Sequence, residues 1–278
     1  MKRLIILFAL LIAMPCEARM NVGIVGGGVR TGINDFATDS NCVALYNFES
    51  GSLTTDSKGT NTLTDVNTVG TDTTNYKQGT ASAVLVYSDI EYFTRTDTNL
   101  SSDFPLKNGT SNNKISVCAW FRAVDLTTAY NDRTIVAKYD AGTANKRSFI
   151  LEVGKDGTDD KVALTIGYNS GASSEGVYHQ TVISTLTWYH VTATFDNSDK
   201  SYSIRLRDTS GNTVGSDLTG NFTNNITIND SPFFVGNFYF EGAAYDTINW
   251  SGQLDEVVIF KDIITSAEAT SIAKGLYP

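Results

Sequence analysis

Apolar and polar residues alternate with a period of two along much of the chain after residue 42. Within residues 189–195 every second side chain is apolar, and His190, Thr192 and Thr194 fill the positions between. This period is typical of a strand with one buried face. The pattern predicts strands over residues 43–49, 82–87, 91–96, 114–123, 133–138, 147–153, 161–168, 176–183, 188–196, 202–208, 232–237 and 252–261.

The predicted strands are short and follow one another at intervals of roughly ten residues, which is typical of an antiparallel sandwich. Turn pairs such as Asn108-Gly109 and Asp156-Gly157 separate them. A helical pattern is confined to Ser266 to Lys274, with Ser266 as the expected N-cap. The sequence therefore predicts an all-β fold that ends in one short helix.

The order of several segments resembles a known family. They are residues 43–49, 56–59, 115–121, 188–196, 252–260 and 262–268. Together they resemble the laminin-G-like domains of the concanavalin A-like lectin/glucanase superfamily, from about Val43 to the end of the chain. The resemblance implies a two-sheet antiparallel jelly-roll sandwich. It implies less about function, because one fold carries many unrelated activities.

The chain divides into a signal peptide, a flexible Gly-rich lead-in and the sandwich, predicted over residues 1–18, 19–41 and 42–278. Lys2-Arg3, the apolar run Leu4 to Met14 and the small residue Ala18 have the order of a cleavable export signal. We therefore expect a secreted, periplasmic or cell-surface protein. Acylation of Cys16, which would make it a lipoprotein, is disfavoured because Pro15 stands where a small residue is expected.

Composition and charge limit the kinds of partner that the chain is expected to bind. The chain has 278 residues, of which 41% are hydrophobic, enough for one large core. Its net charge of −9 disfavours nucleic acid and anionic lipid, and we expect no membrane insertion after the leader. Two cysteines follow the leader, Cys42 and Cys118. In an exported protein these two cysteines could form a disulfide, or each could remain a separate buried thiol.

The sequence lacks the motifs that two classes of enzyme with this fold require. Glucanases of this fold carry Glu-x-Asp-x-Glu on one strand, and no such run occurs. Asp255 and Glu256 are consecutive, so we expect their side chains on opposite faces. Residues 176–180 resemble one strand of alginate lyases, but the arginine-rich and Gln-x-His strands of those enzymes do not occur. Tyr178 is therefore expected on the rim or a sheet face, and His190 in a structural role.

Calcium is the cofactor that the family resemblance implies. The positions that match acidic sites of the family are Glu49, Asp56, Glu91 and Asp255. Glu49 and Asp255 lie on the first and last predicted strands, which pair in this fold, so they could share one ion. The alternative is that these four carboxylates are ordinary acidic residues of turns.

Aromatic and polar residues cluster between the last two predicted strands. Tyr239, Tyr245, Asp246 and Trp250 lie in or beside this connection, and Tyr168 and Tyr178 add similar groups. Exposed aromatics can stack on sugar rings, although Trp250 also fits a core position.

We therefore predict a secreted, non-catalytic recognition module that binds glycans or an extracellular protein through loops at the sandwich rim. The alternatives are a divergent glycoside hydrolase or polysaccharide lyase of the same fold, and a purely structural component of a cell surface or virion.

Overall fold

The computed structural model describes residues 34–126, 133–142, 146–240, 243–244 and 248–277. Within them the chain folds as a sandwich of two antiparallel sheets. The strands, in chain order, are β1 (Cys42–Tyr46), β2 (Thr64–Val66), β3 (Gly70–Asp72), β4 (Ser82–Leu85), β5 (Tyr92–Arg95), β6 (Lys114–Ala123), β7 (Arg133–Asp140), β8 (Lys146–Asp156), β9 (Asp159–Tyr168), β10 (Ser173–Val182), β11 (Tyr189–Asp196), β12 (Ser201–Arg207), β13 (Leu218–Asn221), β14 (Phe233–Val235), β15 (Tyr239–Phe240), β16 (Ala243–Ala244) and β17 (Gly252–Phe260). The described helices are α1 (Ser266–Ala273) and the 3₁₀ turns Tyr87–Asp89 and Asp97–Asn99.

Each sheet mixes early and late parts of the chain. Sheet A has the order β13-β12-β11-β6-β17-β4-β3, and β1 also pairs with β17. Sheet B has the order β10-β9-β8-β7-β14-β5-β2, and the hairpin of β15 and β16 attaches to β7. The predicted pairing of the first and last long strands is confirmed, with Leu45 opposite Val258.

The core lies between the sheets and follows the period-two pattern. In β11 the alternate residues Val191, Ala193 and Phe195 belong to it, together with Phe121 of β6 and Phe149 of β8. All segments predicted as strands contain one. The strands that the pattern missed are the short β2, β3, β13, β15 and β16, which are two to four residues long. Strands of this length carry too few alternating positions to give a signal.

A second apolar cluster covers the outer face of sheet A. Phe36 and helix α1 pack there on Val258 and on the two cysteines, Cys42 and Cys118. Both thiols are buried and unbonded to each other, so the disulfide alternative is contradicted. Burial raises the pKa of each thiol to about 12, which keeps both protonated and unreactive.

The packed part of the chain includes residues that the sequence assigned to a flexible lead-in. Asn34 donates a hydrogen bond to Glu256 Oε1 at 2.9 Å, and Phe36 is buried. Residues 34–41 therefore belong to the sandwich. The predicted signal peptide, the remaining lead-in residues 19–33 and Cys16 lie outside the described residues. Among the described helices, none is long and apolar enough to span a bilayer.

The N-cap of α1 is one residue earlier than predicted. Thr265 accepts the N–H of Glu268, while the Glu268 carboxylate accepts the N–H of Thr265 at 2.7 Å, which forms a capping box. Ser266 instead donates its hydroxyl to Asp217 Oδ2 at 2.6 Å. The helix therefore starts at the Thr-x-x-Glu spacing rather than at the neighbouring serine.

A β-bulge corrects the expectation that Asp255 and Glu256 face opposite ways. The register of β17 against β6 shifts between Asp255 and Val258, and Glu256 has a φ of 46°. Asp255 bonds to the 77–78 backbone over the outer face of sheet A, and Glu256 bonds to Asn34 on the same face. Both carboxyl groups are therefore buried side by side on one face.

Candidate functional site

The described residues of the connection between β14 and β17, 237–240, 243–244 and 248–250, lie on the outer face of sheet B, and we call them the cross-sheet segment. Its two ends are tied together, because the Asn237 side-chain amide donates to Asn249 Oδ1. The backbone N–H of Trp250 donates to Gly236 O at 2.8 Å. Asn237 and Asn249 are fully buried. The base of this connection is therefore a closed and well-anchored turn.

Strand β7 supports the cross-sheet segment at both of its ends. The N–H of Thr134, at the start of β7, donates to Ile248 O at 3.1 Å. The N–H of Ala141, just after β7, donates to Tyr239 O at 2.8 Å. The described part of this connection therefore lies along a strand of sheet B.

Aromatic rings fill the space between the cross-sheet segment and the sheet. Phe238 meets Tyr139 edge-on at 5.2 Å between centroids, and Tyr239 meets Phe234 edge-on at 4.6 Å. Tyr92 lies 6.1 Å from Phe234 on the next strand. These edge-to-face contacts are the favoured geometry for aromatic pairs. The predicted contact residue Tyr239 is thus half-buried in this cluster.

Two aromatic side chains beside the cluster remain exposed. Phe240, the residue after Tyr239, is 40% exposed. Tyr178 is 39% exposed and lies on β10, opposite Ala163 of β9. The prediction that Tyr178 lies on a sheet face is confirmed. An exposed ring above a sheet surface is a flat apolar platform for a ligand.

A single cross-strand row joins Tyr178 to the cross-sheet segment. Tyr178 lies opposite Ala163, Ala163 opposite Glu152, and Glu152 opposite Thr134. The row crosses three strand spacings, or roughly 14 Å. Thr134 is fully buried, yet its hydroxyl has no hydrogen-bond partner. The small Ala163 side chain keeps the surface between Tyr178 and Glu152 low.

The neighbouring positions are also small or polar. Ser148 of β8 is fully buried, and its hydroxyl has no partner either. Gly176 lies opposite Thr165, and a Cβ at Gly176 would stand 2.7 Å from the Thr165 hydroxyl. Thr134 and Ser148 are thus buried beneath the outer surface of sheet B, and the exposed ring of Tyr178 is the part of the row that a ligand can reach.

The other predicted ligand-contact residues differ in burial and in whether the structure describes them. Trp250 is fully buried and meets Phe121 edge-on at 5.7 Å, so the core alternative holds and it cannot touch a ligand. Tyr168 is half-buried at the end of β9. Tyr245 and Asp246 lie outside the described residues. Of the predicted set, Tyr178 and Tyr239 therefore remain as described members of this face.

Sequence reasoning missed Thr134, Ser148 and Glu152. Each occupies an outward position of a strand whose other positions are core residues, such as Phe149 and Leu151 of β8. Polar residues at outward positions are ordinary in a sandwich, so the alternation alone gives no reason to single them out. The ladder register brings Glu152 opposite Thr134, and Thr134 bonds to the cross-sheet segment through its backbone N–H.

Glu49 and Asp255 converge on one turn. Asp255 Oδ2 accepts the N–H groups of Lys77 and Gln78 at 2.6 and 2.9 Å. Glu49 accepts the N–H of Thr80 at 3.0 Å and its hydroxyl at 2.6 Å. Burial raises the pKa of Asp255 to about 7, and the charge of Glu49 contributes. The two carboxyl groups therefore clamp residues 77–80 from both sides.

The other two predicted calcium ligands organise separate loops. Glu91 accepts the N–H of Val86 at 2.7 Å, and burial raises its pKa. Asp56 accepts four backbone N–H groups, those of Leu45, Lys58, Gly59 and Asn61. In the part of the chain that the structure describes, no three Asp, Glu, His or Cys side chains are grouped to hold a metal. Calcium binding stays a prediction.

Both histidines are buried inside sheets. His190 meets Trp120 edge-on at 5.1 Å, and neither ring nitrogen has a hydrogen-bond partner. Burial, with the nearby charge of Arg207, lowers the pKa of His190 to about 3, so the ring is neutral. His179 Nε2 lies 2.9 Å from Ser216 O, and burial lowers its pKa too. These positions suit structural roles, although His190 packs without the hydrogen bonds that buried histidines usually make.

Solved structures with a similar fold include binding domains of botulinum neurotoxins. The serotype C1 domain is 13% identical over 86% of this chain and 52% of that chain, with a TM-score of 0.58. The serotype G domain is 16% identical over 84% of this chain and 50% of that chain, with a TM-score of 0.56. The neurotoxin DC domain, solved in complex with rat synaptotagmin II, is 12% identical over 85% of this chain and 52% of that chain, with a TM-score of 0.56. This chain thus spans about half the length of those binding domains.

Sequence comparison gives the family. No curated protein sequence matches this chain. The family profile described as the concanavalin A-like lectin/glucanases superfamily, Laminin_G_3, matches residues 95–270. The match covers more than half of the chain and includes β6 to β17, which form both faces of the sandwich. The chain belongs to the concanavalin A-like lectin/glucanases superfamily.

Proposed function

We propose that the protein is a non-catalytic recognition module that binds glycans on the outer face of sheet B, beside the cross-sheet segment. The observation that carries the proposal is the exposed ring of Tyr178, which stands on the outer face of sheet B opposite the small side chain of Ala163. The family membership supports the fold on which such a site is built.

The chemistry of this face matches that of a sugar. A pyranose has one apolar face, which can stack on Tyr178, and a rim of hydroxyl groups. The phenolic hydroxyl of Tyr178 can both donate to and accept from those hydroxyl groups.

The burial of Asp255 and Glu256 supports a non-catalytic role, because these are the neighbouring carboxyl groups that were considered as a catalytic pair. Asp255 and Glu256 share a face because of the bulge, but they are 0% and 3% exposed. Burial raises the pKa of both groups, so they hold protons at neutral pH more than ordinary acids do. A glycosidic bond cannot reach such a pair, whereas glycosidases place theirs on either side of the scissile bond.

A protein ligand is the second candidate. The neurotoxin DC binding domain was solved with rat synaptotagmin II, so a domain of similar fold takes a protein partner. The exposed Phe240 is the observation on this chain that favours it. Exposed aromatic side chains at the centre of a contact commonly contribute much of a protein interface's affinity.

We also propose that the protein is exported, because the extracellular glycans and proteins that it would bind lie outside the cytoplasm. The signal-peptide pattern of residues 1–18 supports it. Mass spectrometry of protein recovered from the culture medium, the periplasm and the cell surface would test it. Export is contradicted if the recovered protein is cytoplasmic and keeps residues 1–18.

The binding proposal is tested on a glycan array with the purified full chain, with and without EDTA. We expect selective binding to a group of related glycans. Tyr178→Ala should weaken the affinity for them by at least about tenfold, which corresponds to about 1.4 kcal/mol. The matched control is Leu276→Ala, which removes an exposed apolar side chain after α1, on the other sheet.

Three results would decide against a sugar on this face. Binding that is equal in Tyr178→Ala and wild type places the site elsewhere. An array without signal, together with capture of a peptide ligand that Phe240→Ala abolishes, favours the protein candidate. Release of reducing sugar by the purified wild type would contradict the non-catalytic role.

A further inference from the structure

Lys138 is a fully buried lysine in the interior of sheet B. In the ladder it lies between Phe149 of β8 and Phe233 of β14, both fully buried. Its Nζ lies 3.0 Å from Asp97 Oδ1 and donates a hydrogen bond to the backbone oxygen of Asn229. A lysine in such a place is unusual, because burying its charge is costly even when it is paired.

Asn229 has a polarised side-chain carbonyl. Its Oδ1 accepts the N–H of Ser231 at 3.0 Å and the Ser231 hydroxyl at 2.7 Å. Its Nδ2 is buried and has no hydrogen-bond partner. Asn229 and Asp97 are 8% and 6% exposed, so the whole group is shielded from water.

We infer that Lys138 and Asn229 react with each other to form an intramolecular isopeptide bond, with Asp97 carrying the protons. Asp97 first accepts a proton from the Lys138 ammonium. The neutral Nζ then forms a bond to Cγ of Asn229, and the bond between Cγ and Nδ2 breaks. Nδ2 leaves as ammonium, taking both protons that Nζ loses. Lysine ammonium and asparagine amide thus become one secondary amide and one ammonium ion, with no oxidant or cofactor.

Each group in the cluster supplies what an amide exchange needs. Burial lowers the pKa of the Lys138 ammonium to about 8 against the opposing effect of Asp97, so a neutral nucleophile is accessible near neutral pH. The two donors from Ser231 face the oxygen that becomes negative in the tetrahedral intermediate. The hydrogen bond from Nζ to the main-chain oxygen of Asn229 keeps the nucleophile beside the residue whose side chain carries the electrophilic Cγ.

The bond would join β7 to the residues just before β14. Lys138 and Asn229 are 91 residues apart in sequence, so the link closes a long loop of the unfolded chain. Unlike a disulfide it would survive reducing conditions. A covalent tie beside the cross-sheet segment suits a module that binds ligands outside the cell, and it does not depend on what that ligand is.

The test is the mass of the denatured full-length wild-type protein, followed by a tryptic map. We expect a mass lower than that of the unlinked chain by one ammonia molecule. Trypsin should fail to cleave after Lys138, and tandem spectra should show a branched peptide that joins the Lys138 and Asn229 segments. Asp97→Asn should abolish or greatly slow the loss. Lys146→Arg is the matched control, because Lys146 pairs with Asp230 beside Asn229 and should leave the loss intact.

The outcomes are distinct. A wild-type chain that keeps its full mass and yields a normal Lys138 cleavage after prolonged incubation at pH 8 overturns the proposal, and the cluster is then an ion pair only. Loss that proceeds at the wild-type rate in Asp97→Asn overturns the role of Asp97. Should Asp97→Asn fail to fold, the branched wild-type peptide still decides whether the bond exists.

Discussion

Asp255 accepts the backbone N–H of Lys77 at 2.6 Å from a position with no exposed surface. Its other oxygen, Oδ1, has no hydrogen-bond partner. Burial raises the pKa of Asp255 to about 7 although the N–H groups of Lys77, Gln78 and Glu256 act against it. The last strand therefore anchors the 77–80 turn through a carboxyl group that titrates near neutral pH.

We expect the contribution of Asp255 to the free energy of unfolding to fall as the pH rises from about 4 to about 7. In this range the folded chain keeps a proton on Asp255 that the unfolded chain, with an ordinary pKa near 3.8, has lost. The difference is on the order of 4 kcal/mol for a shift of this size. Burial also raises the pKa of Glu256, and its contribution has the same sign. Urea unfolding at pH 5 and pH 8 measures the change.

Asp255→Asn should remove most of this pH dependence while keeping an oxygen for the turn. Asp196→Asn is the control, since its pKa is lowered, with hydrogen bonds from Lys114 and Ser198 outweighing burial. Its stabilisation is lost only at acidic pH, so the slope between pH 5 and 8 should stay. The buried, neutral His190 acts in the opposite direction, because its lowered pKa disfavours the folded chain at acidic pH. Equal changes in the free energy of unfolding between pH 5 and pH 8 in wild type and Asp255→Asn would contradict the assignment.

Calcium at the same turn is a separate prediction. An ion shared by Glu49 and Asp255 would bind the folded chain only and would raise its melting temperature. The gain in the free energy of unfolding is about 2.7 kcal/mol when the calcium concentration is a hundredfold above Kd. We expect EDTA to reverse the shift and Glu49→Gln to abolish it. Glu175→Gln, at a carboxylate that holds Asn224, is the control. Melting curves that coincide with and without EDTA would count against the ion.

The bulge at Glu256 could not be predicted from the sequence. The alternation in β17 correctly predicts Val257 and Ile259 in the main core. The positive φ of Glu256 inserts one extra residue before Val258 and turns two neighbouring carboxyl groups to the same face. Nothing local in Asp255-Glu256-Val257 signals a bulge, because the distortion is set by the strands on either side and by Asn34.

Trp250 and Tyr178 should separate stability from binding. Trp250→Ala removes a fully buried ring that packs on Phe121, and we expect a loss of about 3–5 kcal/mol in the free energy of unfolding. Tyr178→Ala should change stability by no more than about 0.5 kcal/mol. Urea unfolding of both variants beside wild type gives the comparison. A Trp250→Ala chain with wild-type stability would mean that the ring is not in the core.

The fold was predictable from this sequence to a greater extent than the site. Alternation in β8 and β11 reports contact with a core that every strand shares, so each strand gives the same signal independently. Thr134 contacts a segment about a hundred residues later in the chain, because its N–H donates to Ile248 O. A serine or threonine at an outward position looks the same whether or not such a segment covers it.

The final prediction uses those two hydroxyl groups. Thr134→Val and Ser148→Ala each remove a buried oxygen that has no partner. We expect stability to be unchanged or higher by up to about 1 kcal/mol, because an unsatisfied polar group leaves the interior. Because both hydroxyl groups are fully buried, the affinity for the glycan found on the array should stay close to that of wild type in each variant. Calorimetric titration with that glycan and urea unfolding measure the two effects. Loss of stability in either variant would show that its hydroxyl serves the fold, and a several-fold loss of affinity would show that a ligand reaches it.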